Sequence, residues 1–205
     1  DSENYNDMTR RTLQKDVNVF CPQLYLWDQQ RFGRWTPDRT SLDNSLKHMG
    51  SSIAAVELDG LMKCIDWLSA LSWIDAERIG MIGLSYGGFY TLHLTALDTR
   101  IKAALCSCYF NDRTYYSNSD WSWFGSANMF EDAEVASLIF PRKLWIQVAD
   151  NDELFHVSSA KKEFERLEKY YADMPAQLHL EVFHGVHEFS KSDAGIDFVV
   201  RELNK

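Results

Sequence analysis

A chain of 205 residues, 45% of them hydrophobic, is long enough to bury one core as a single domain. Its net charge of −9 and the lack of any Lys/Arg-rich run argue against nucleic acid as a partner, and no apolar stretch is long enough to span a membrane. The four cysteines, Cys21, Cys64, Cys106 and Cys108, have no metal-ligand spacing and lie largely in apolar segments, so they read as reduced core residues and favour a cytoplasmic setting.

In chain order, residues 5–15 read as a helix and Val17-Asn18-Val19-Phe20-Cys21-Pro22 as a strand, followed by a long loop at 23–50 rich in aromatics and charge. Ser51 or Ser52 caps a helix running to about Leu71. Its stripe of Ile53, Val56, Leu61, Ile65 and Leu68 has the spacing of a face that packs on a sheet. A strand at 78–84 leads into a helix ending near Asp98, and a strand follows at 101–107. Residues 109–140 form an irregular, lid-like excursion with short helices. Strand 144–149, helix 157–172, strand 178–183 and a helix at about 191–203 complete the chain. Strands alternating with helices imply a mostly parallel sheet covered on both faces, in one domain spanning 1–205.

The junction of the 78–84 strand with its helix carries Gly83-Leu84-Ser85-Tyr86-Gly87-Gly88, a Gly-x-Ser-x-Gly nucleophile elbow. A serine at the tip of so sharp a turn crowds the residues two before and two after it, so small side chains are expected there. The turn aims the N–H groups of the following helix, that of Tyr86 first, at the place where an oxyanion forms. Two acids, Asp150 and Asp152, follow strand 144–149, and two histidines, His184 and His187, follow strand 178–183. Both pairs fall at the C-terminal ends of strands, where open α/β sheets bind ligands. The order nucleophile, acid, histidine suits acyl transfer, with the histidine as general base and the acid fixing its tautomer. A histidine base predicts that activity falls as pH drops through about 6 to 7. This chemistry calls for no metal and no organic cofactor.

On these residues the chain resembles the α/β-hydrolase superfamily. Within it, the chain is similar to the dienelactone hydrolase and acetyl xylan esterase-like group of bacterial esterases. The matching pieces are Val19-Phe20-Cys21-Pro22-Gln23, the elbow, the segment from Asn128 to Leu144, Ala149-Asp150-Asn151-Asp152 and Phe183-His184-Gly185-Val186-His187-Glu188-Phe189. The register of the last two selects Asp152 and His187 to join Ser85. The resemblance implies a carboxylic ester hydrolase acting on small or acetylated substrates. It also implies an upstream strand between those at 17–22 and 78–84, whose following loop supplies a second oxyanion donor beside the Tyr86 N–H. Neither lies in these residues. A parallel strand cannot pair across a vacant slot, so the chain is expected to be a fragment whose upstream segment is a further partner.

The excursion's Tyr109, Tyr115, Tyr116, Trp121, Trp123 and Phe124, with Tyr25, Trp27, Phe32 and Trp35 of the earlier loop, offer an acyl pocket or a platform for a sugar ring. They serve equally as packing under long loops or as an interface in a homo-oligomer. Tyr109, Trp121, Trp123 and Arg113 are the candidates for substrate binding, and Arg31, Arg34 and Arg113 for a substrate carboxylate. The elbow through Phe89 also resembles that of prolyl oligopeptidase-type serine peptidases, which gives a second enzymatic reading. A hydrolase-like binding module without catalysis is the third, and a non-catalytic module has no need of all three triad residues.

Overall fold

The most apolar runs of the chain form the middle of its sheet. The structure, a computed structural model, describes residues 3–25, 39–114 and 119–205. Four strands, β1 (Ile79–Leu84), β2 (Ile101–Ser107), β3 (Lys143–Ala149) and β4 (Leu178–Phe183), lie in the order β1-β2-β3-β4, all parallel. Ala103, Ala104, Leu105 and Cys106 of β2 and Leu144, Ile146 and Val148 of β3 are buried, as strands covered on both faces must be.

The helices are α1 (Met8–Leu13), α2 (Arg39–His48), α3 (Ile53–Ser69), α4 (Tyr86–Leu97), α5 (Ser126–Met129), α6 (Asp132–Ser137), α7 (Val157–Glu168) and α8 (Ala194–Leu203). One face of the sheet carries α3, α4, α6 and α7 around a core that includes Leu61, Ile65, Phe89, Leu92, Ile146 and Leu167. The other carries α8, whose Ile196, Val199 and Val200 close over Leu84, Leu105 and Phe189. Removing each such side chain from water contributes about 1.5–3 kcal/mol. Gly195 lets α8 approach closely, because a Cβ there would lie 2.5 Å from Leu105 Cδ1. The parallel sheet with helices on both faces is what the alternation of elements predicts, and it is the α/β-hydrolase fold that the resemblance implies. Among the described residues no helix is long and apolar enough to cross a membrane.

Ser52 is the N-cap of α3, its Oγ accepting from Ala55 N at 3.1 Å. Ile53, Leu61 and Ile65 of the expected stripe are buried, while Val56 is exposed.

Three expectations change. Residues 17–22 form no strand: Val17 packs against the core on the α8 side of the sheet, but Phe20, Cys21 and Pro22 are exposed. A strand needs a neighbour for its N–H and C=O groups, and among the described residues β1 has a partner on one side alone. Part of the expected 23–50 loop is α2, which periodicity could not show because the side chains it buries are Arg39 and Asp43. Asp43 accepts from Ile53 N at 2.9 Å and pairs with Lys47 at 2.6 Å, tying α2 to the start of α3. Third, of the cysteines, all free, Cys106 and Cys108 are buried but Cys21 is exposed. Trp27, Arg31, Phe32, Arg34, Trp35, Tyr115 and Tyr116 lie outside the described residues.

Candidate active site

Ser85 joins β1 to α4 with φ 57° and ψ −114°, a conformation that non-glycine residues rarely adopt and that the surroundings must enforce. Its N–H donates to Ser107 O at 2.8 Å, fixing the turn to the end of β2. The crowding expected on both sides of the serine falls unequally. A Cβ at Gly83 would lie 2.1 Å from Gly87 O, and one at Gly88 2.9 Å from Ser107 O, but one at Gly87 meets nothing within 4 Å among the described residues. Gly83→Ala should therefore lose roughly 3 kcal/mol, the upper range for overpacking. Gly87→Ala should keep or slightly raise Tm, since the added methyl meets nothing and alanine leaves the unfolded chain less freedom than glycine. Thermal denaturation of the two variants checks this, and equal losses would refute it.

Ser85, Asp152 and His187 come together. His187 Nε2 lies 2.7 Å from Ser85 Oγ and His187 Nδ1 2.8 Å from Asp152 Oδ2. The tautomer satisfying both bonds has its proton on Nδ1, donated to Asp152, and a free lone pair on Nε2 to accept from the serine. Asp152 has a fully buried side chain, and its Oδ1 accepts from Leu154 N at 2.8 Å and Phe155 N at 3.0 Å. Burial pushes this carboxyl up, but the bonds from His187 and the two backbone amides prevail and hold it below the usual carboxylate range. The rival pair meets elsewhere: His184, 89% exposed, contacts Asp150 at 3.1 Å on the surface.

The N-terminal segment clamps the loop carrying His187. Phe189 N donates to Asn4 O at 2.8 Å, Asn6 Nδ2 donates to Phe189 O at 2.6 Å, and Arg11 donates to the carbonyls of Ser190 and Ser192. Beside the triad lies Cys108, just past β2, with a left-handed φ of 46°. Its Sγ donates to Glu188 O at 3.2 Å. Burial, then the nearby Asp152 carboxylate, push the thiol up to about 12.

Tyr109, Arg113, Trp121 and Trp123, the four candidates for substrate binding, line one cavity of about 310 Å³ together with Asn128. Rings connect it to the triad: Trp121 lies 6.1 Å from Phe155, which stacks on His187 at 5.6 Å. Arg113 is no surface ion pair. Its side chain is 9% exposed, pairs with Asp132 at 2.9 Å and sits over Phe130 and Trp123.

Arg113 also donates to His93 Nε2 at 2.9 Å, while His93 Nδ1 donates to Phe89 O at 2.9 Å, so the ring is fixed neutral. Burial, then the Arg113 charge, lower His93 to about 3 from an ordinary 6.5. Between those values the unfolded chain binds a proton that the folded one refuses. His93 thus subtracts stability progressively as pH falls from about 6.5 toward 3. Tm measured across that range should drop less steeply for His93→Gln than for the parent, and parallel curves would refute the assignment.

Sequence reasoning missed a buried ionic cluster behind the elbow. Arg39 grips Glu57 with two bonds of 2.7 Å and donates to Asp120 at 2.6 Å and Tyr86 Oη at 3.2 Å. Tyr90 donates its hydroxyl to Glu57. Burial and the Glu57 carboxylate push this phenol far above its ordinary range. The cluster joins α2, α3 and α4 to the segment that carries Trp121, whose ring lies 5.0 Å from that of Tyr86. One signal was available: Glu57 stands four residues after Ile53 and four before Leu61, within the buried stripe.

A parallel sheet with a strained serine elbow after β1, an acid after β3 and a histidine after β4 defines an α/β-hydrolase. Residues 47–204 match the model of the prolyl oligopeptidase family, and the chain belongs to that family. It is 30% identical to YtaP of Bacillus subtilis (strain 168) over 123 residues, 56% of this chain and 41% of that protein. A carbohydrate esterase family 15 glucuronoyl esterase from Caldicellulosiruptor kristjansonii superposes with a TM-score of 0.62 at 17% identity, covering 75% of this chain and 51% of that one. A glucuronoyl esterase from Solibacter usitatus does so with a TM-score of 0.59 at 15% identity, covering 90% and 52%. The chain thus spans about half the length of these relatives or less.

Proposed function

We propose that the protein is a serine hydrolase that cleaves carboxylic esters of small or acetylated substrates. The observation that carries this reading is the continuous chain from Ser85 Oγ through His187 to Asp152, with bonds of 2.7 and 2.8 Å. As Ser85 attacks the ester carbonyl, His187 Nε2 takes its proton and later delivers it to the leaving alcohol. Asp152 stabilises the imidazolium that forms in between, and water then hydrolyses the acyl-enzyme by the same proton path in reverse. The Tyr86 N–H, at the first position of α4, donates to the oxyanion. Tyr109, Trp121, Trp123 and Arg113 shape the substrate site. Structural likeness to proteins named as glucuronoyl esterases supports an ester substrate.

A second reading, a serine peptidase, draws on the family model, which spans all three triad residues. Acetyl esters assayed against proline-containing peptides separate the two. The expected result is a kcat/KM at least roughly a hundredfold higher for the esters, about 2.7 kcal/mol of transition-state preference. A preference for the peptides would overturn the ester reading in favour of the second.

A further inference from the structure

The geometry points to an inhibitory site for one soft or borderline divalent cation, Zn²⁺ or Cd²⁺, built from Cys108 Sγ, an Asp152 carboxylate oxygen and a His187 ring nitrogen. These three ligand atoms all lie within 4.8 Å of one another. A thiolate, an imidazole and a carboxylate form a set that suits such cations. Bonds of about 2.0–2.3 Å set the ligand atoms roughly 3.5 Å apart, so the His187 Nδ1–Asp152 pair, now at 2.8 Å, opens to admit the cation while the thiol draws in. His187, whose side chain is 22% exposed, supplies both the movement and the way in, because Asp152 and Cys108 are buried.

Charge favours the occupied state. The cation displaces the thiol proton of Cys108, and with one thiolate, one carboxylate and a neutral imidazole the bound site sums to zero, which removes most of the cost of burying a dication. At His187 the metal takes Nδ1, and the ring's proton moves to Nε2. One proton is released overall, from the thiol. A ring that carries its hydrogen on Nε2 cannot accept the Ser85 proton, so occupancy switches off the base. The effect on turnover rests on the hydrolase reading above, whereas binding does not.

The test titrates the whole protein with Cd²⁺ and follows thiolate-to-metal charge-transfer absorption in the ultraviolet, alongside ester turnover. The expected result is one equivalent bound with a charge-transfer band and turnover lost in parallel, both reversed by EDTA. Cys108→Ser keeps the size of the side chain and a donor for Glu188 O. It should fold, turn over ester as the parent does, lack the band and bind Cd²⁺ at least roughly tenfold more weakly, because an alcohol is a poor ligand for such a metal. The double variant Cys21→Ser/Cys64→Ser should retain both band and inhibition. A band that survives in Cys108→Ser, or disappears in the double variant, overturns the site. If the band behaves as expected in a protein that hydrolyses no ester with or without metal, the site stands and the hydrolase reading fails.

Discussion

Ser85→Ala should lower kcat for ester hydrolysis by about 10⁴- to 10⁶-fold and abolish labelling by a fluorophosphonate, while leaving Tm nearly unchanged. The substitution removes the nucleophile and one hydrogen bond to His187, but alanine holds the same strained backbone and fills the same space. Asp152→Asn should cost about 10⁴-fold, since an amide can donate to His187 Nδ1 and stabilise the wrong tautomer. Asp150→Asn, two residues earlier in the same loop, should cost almost nothing, because its partner His184 is exposed. Labelling at another serine, or equal losses from the two aspartate variants, would remove the triad assignment.

Arg39→Ala should destabilise the fold by about 3–5 kcal/mol, the usual cost of stranding a buried charge. Glu57 has no exposed side-chain surface and Asp120 has little, so neither recovers hydration when the guanidinium is lost. Burial disfavours the Arg39 charge, but the bonds to Glu57 and Asp120 outweigh this and raise its pKa further. Arg39→Lys should recover only part of the loss, because an ammonium lacks the planar fork that grips Glu57 while reaching Asp120. Denaturant unfolding gives the comparison: a fall in midpoint at constant slope is expected. A loss for Arg39→Ala within about 1 kcal/mol of zero would show that the cluster contributes little. Because the cluster anchors Tyr86 and the segment bearing Trp121, the same variant should raise KM more than it lowers kcat.

The strands β1 to β4, the long helices between them and the serine elbow were legible from local pattern, and the two Asp and two His candidates from their places after strands. A buried parallel strand is a short apolar run, an amphipathic helix repeats every 3.6 residues, and the elbow is a fixed spacing of glycines around a serine. The excursion's aromatics were legible as candidates, but that Tyr109, Trp121 and Trp123 line a single cavity was not. Helix α2 escaped because it turns polar side chains inward, and 17–22 was misread because a strand-like composition does not supply a strand partner.

The sequence by itself determined the four paired strands with the helices between them and the elbow, since each depends on neighbours within a few positions, while the preference for Asp152 and His187 came from the register of the family resemblance. Tertiary structure alone decided that His187 reaches Ser85 across 102 positions, that Asp150 and His184 pair on the surface, and that Arg39, Glu57 and Asp120 share one buried cluster. It also set Cys108 against the triad. These are long-range encounters between charged and polar groups, whose strength depends on burial and distance, and neither quantity exists until the chain has folded.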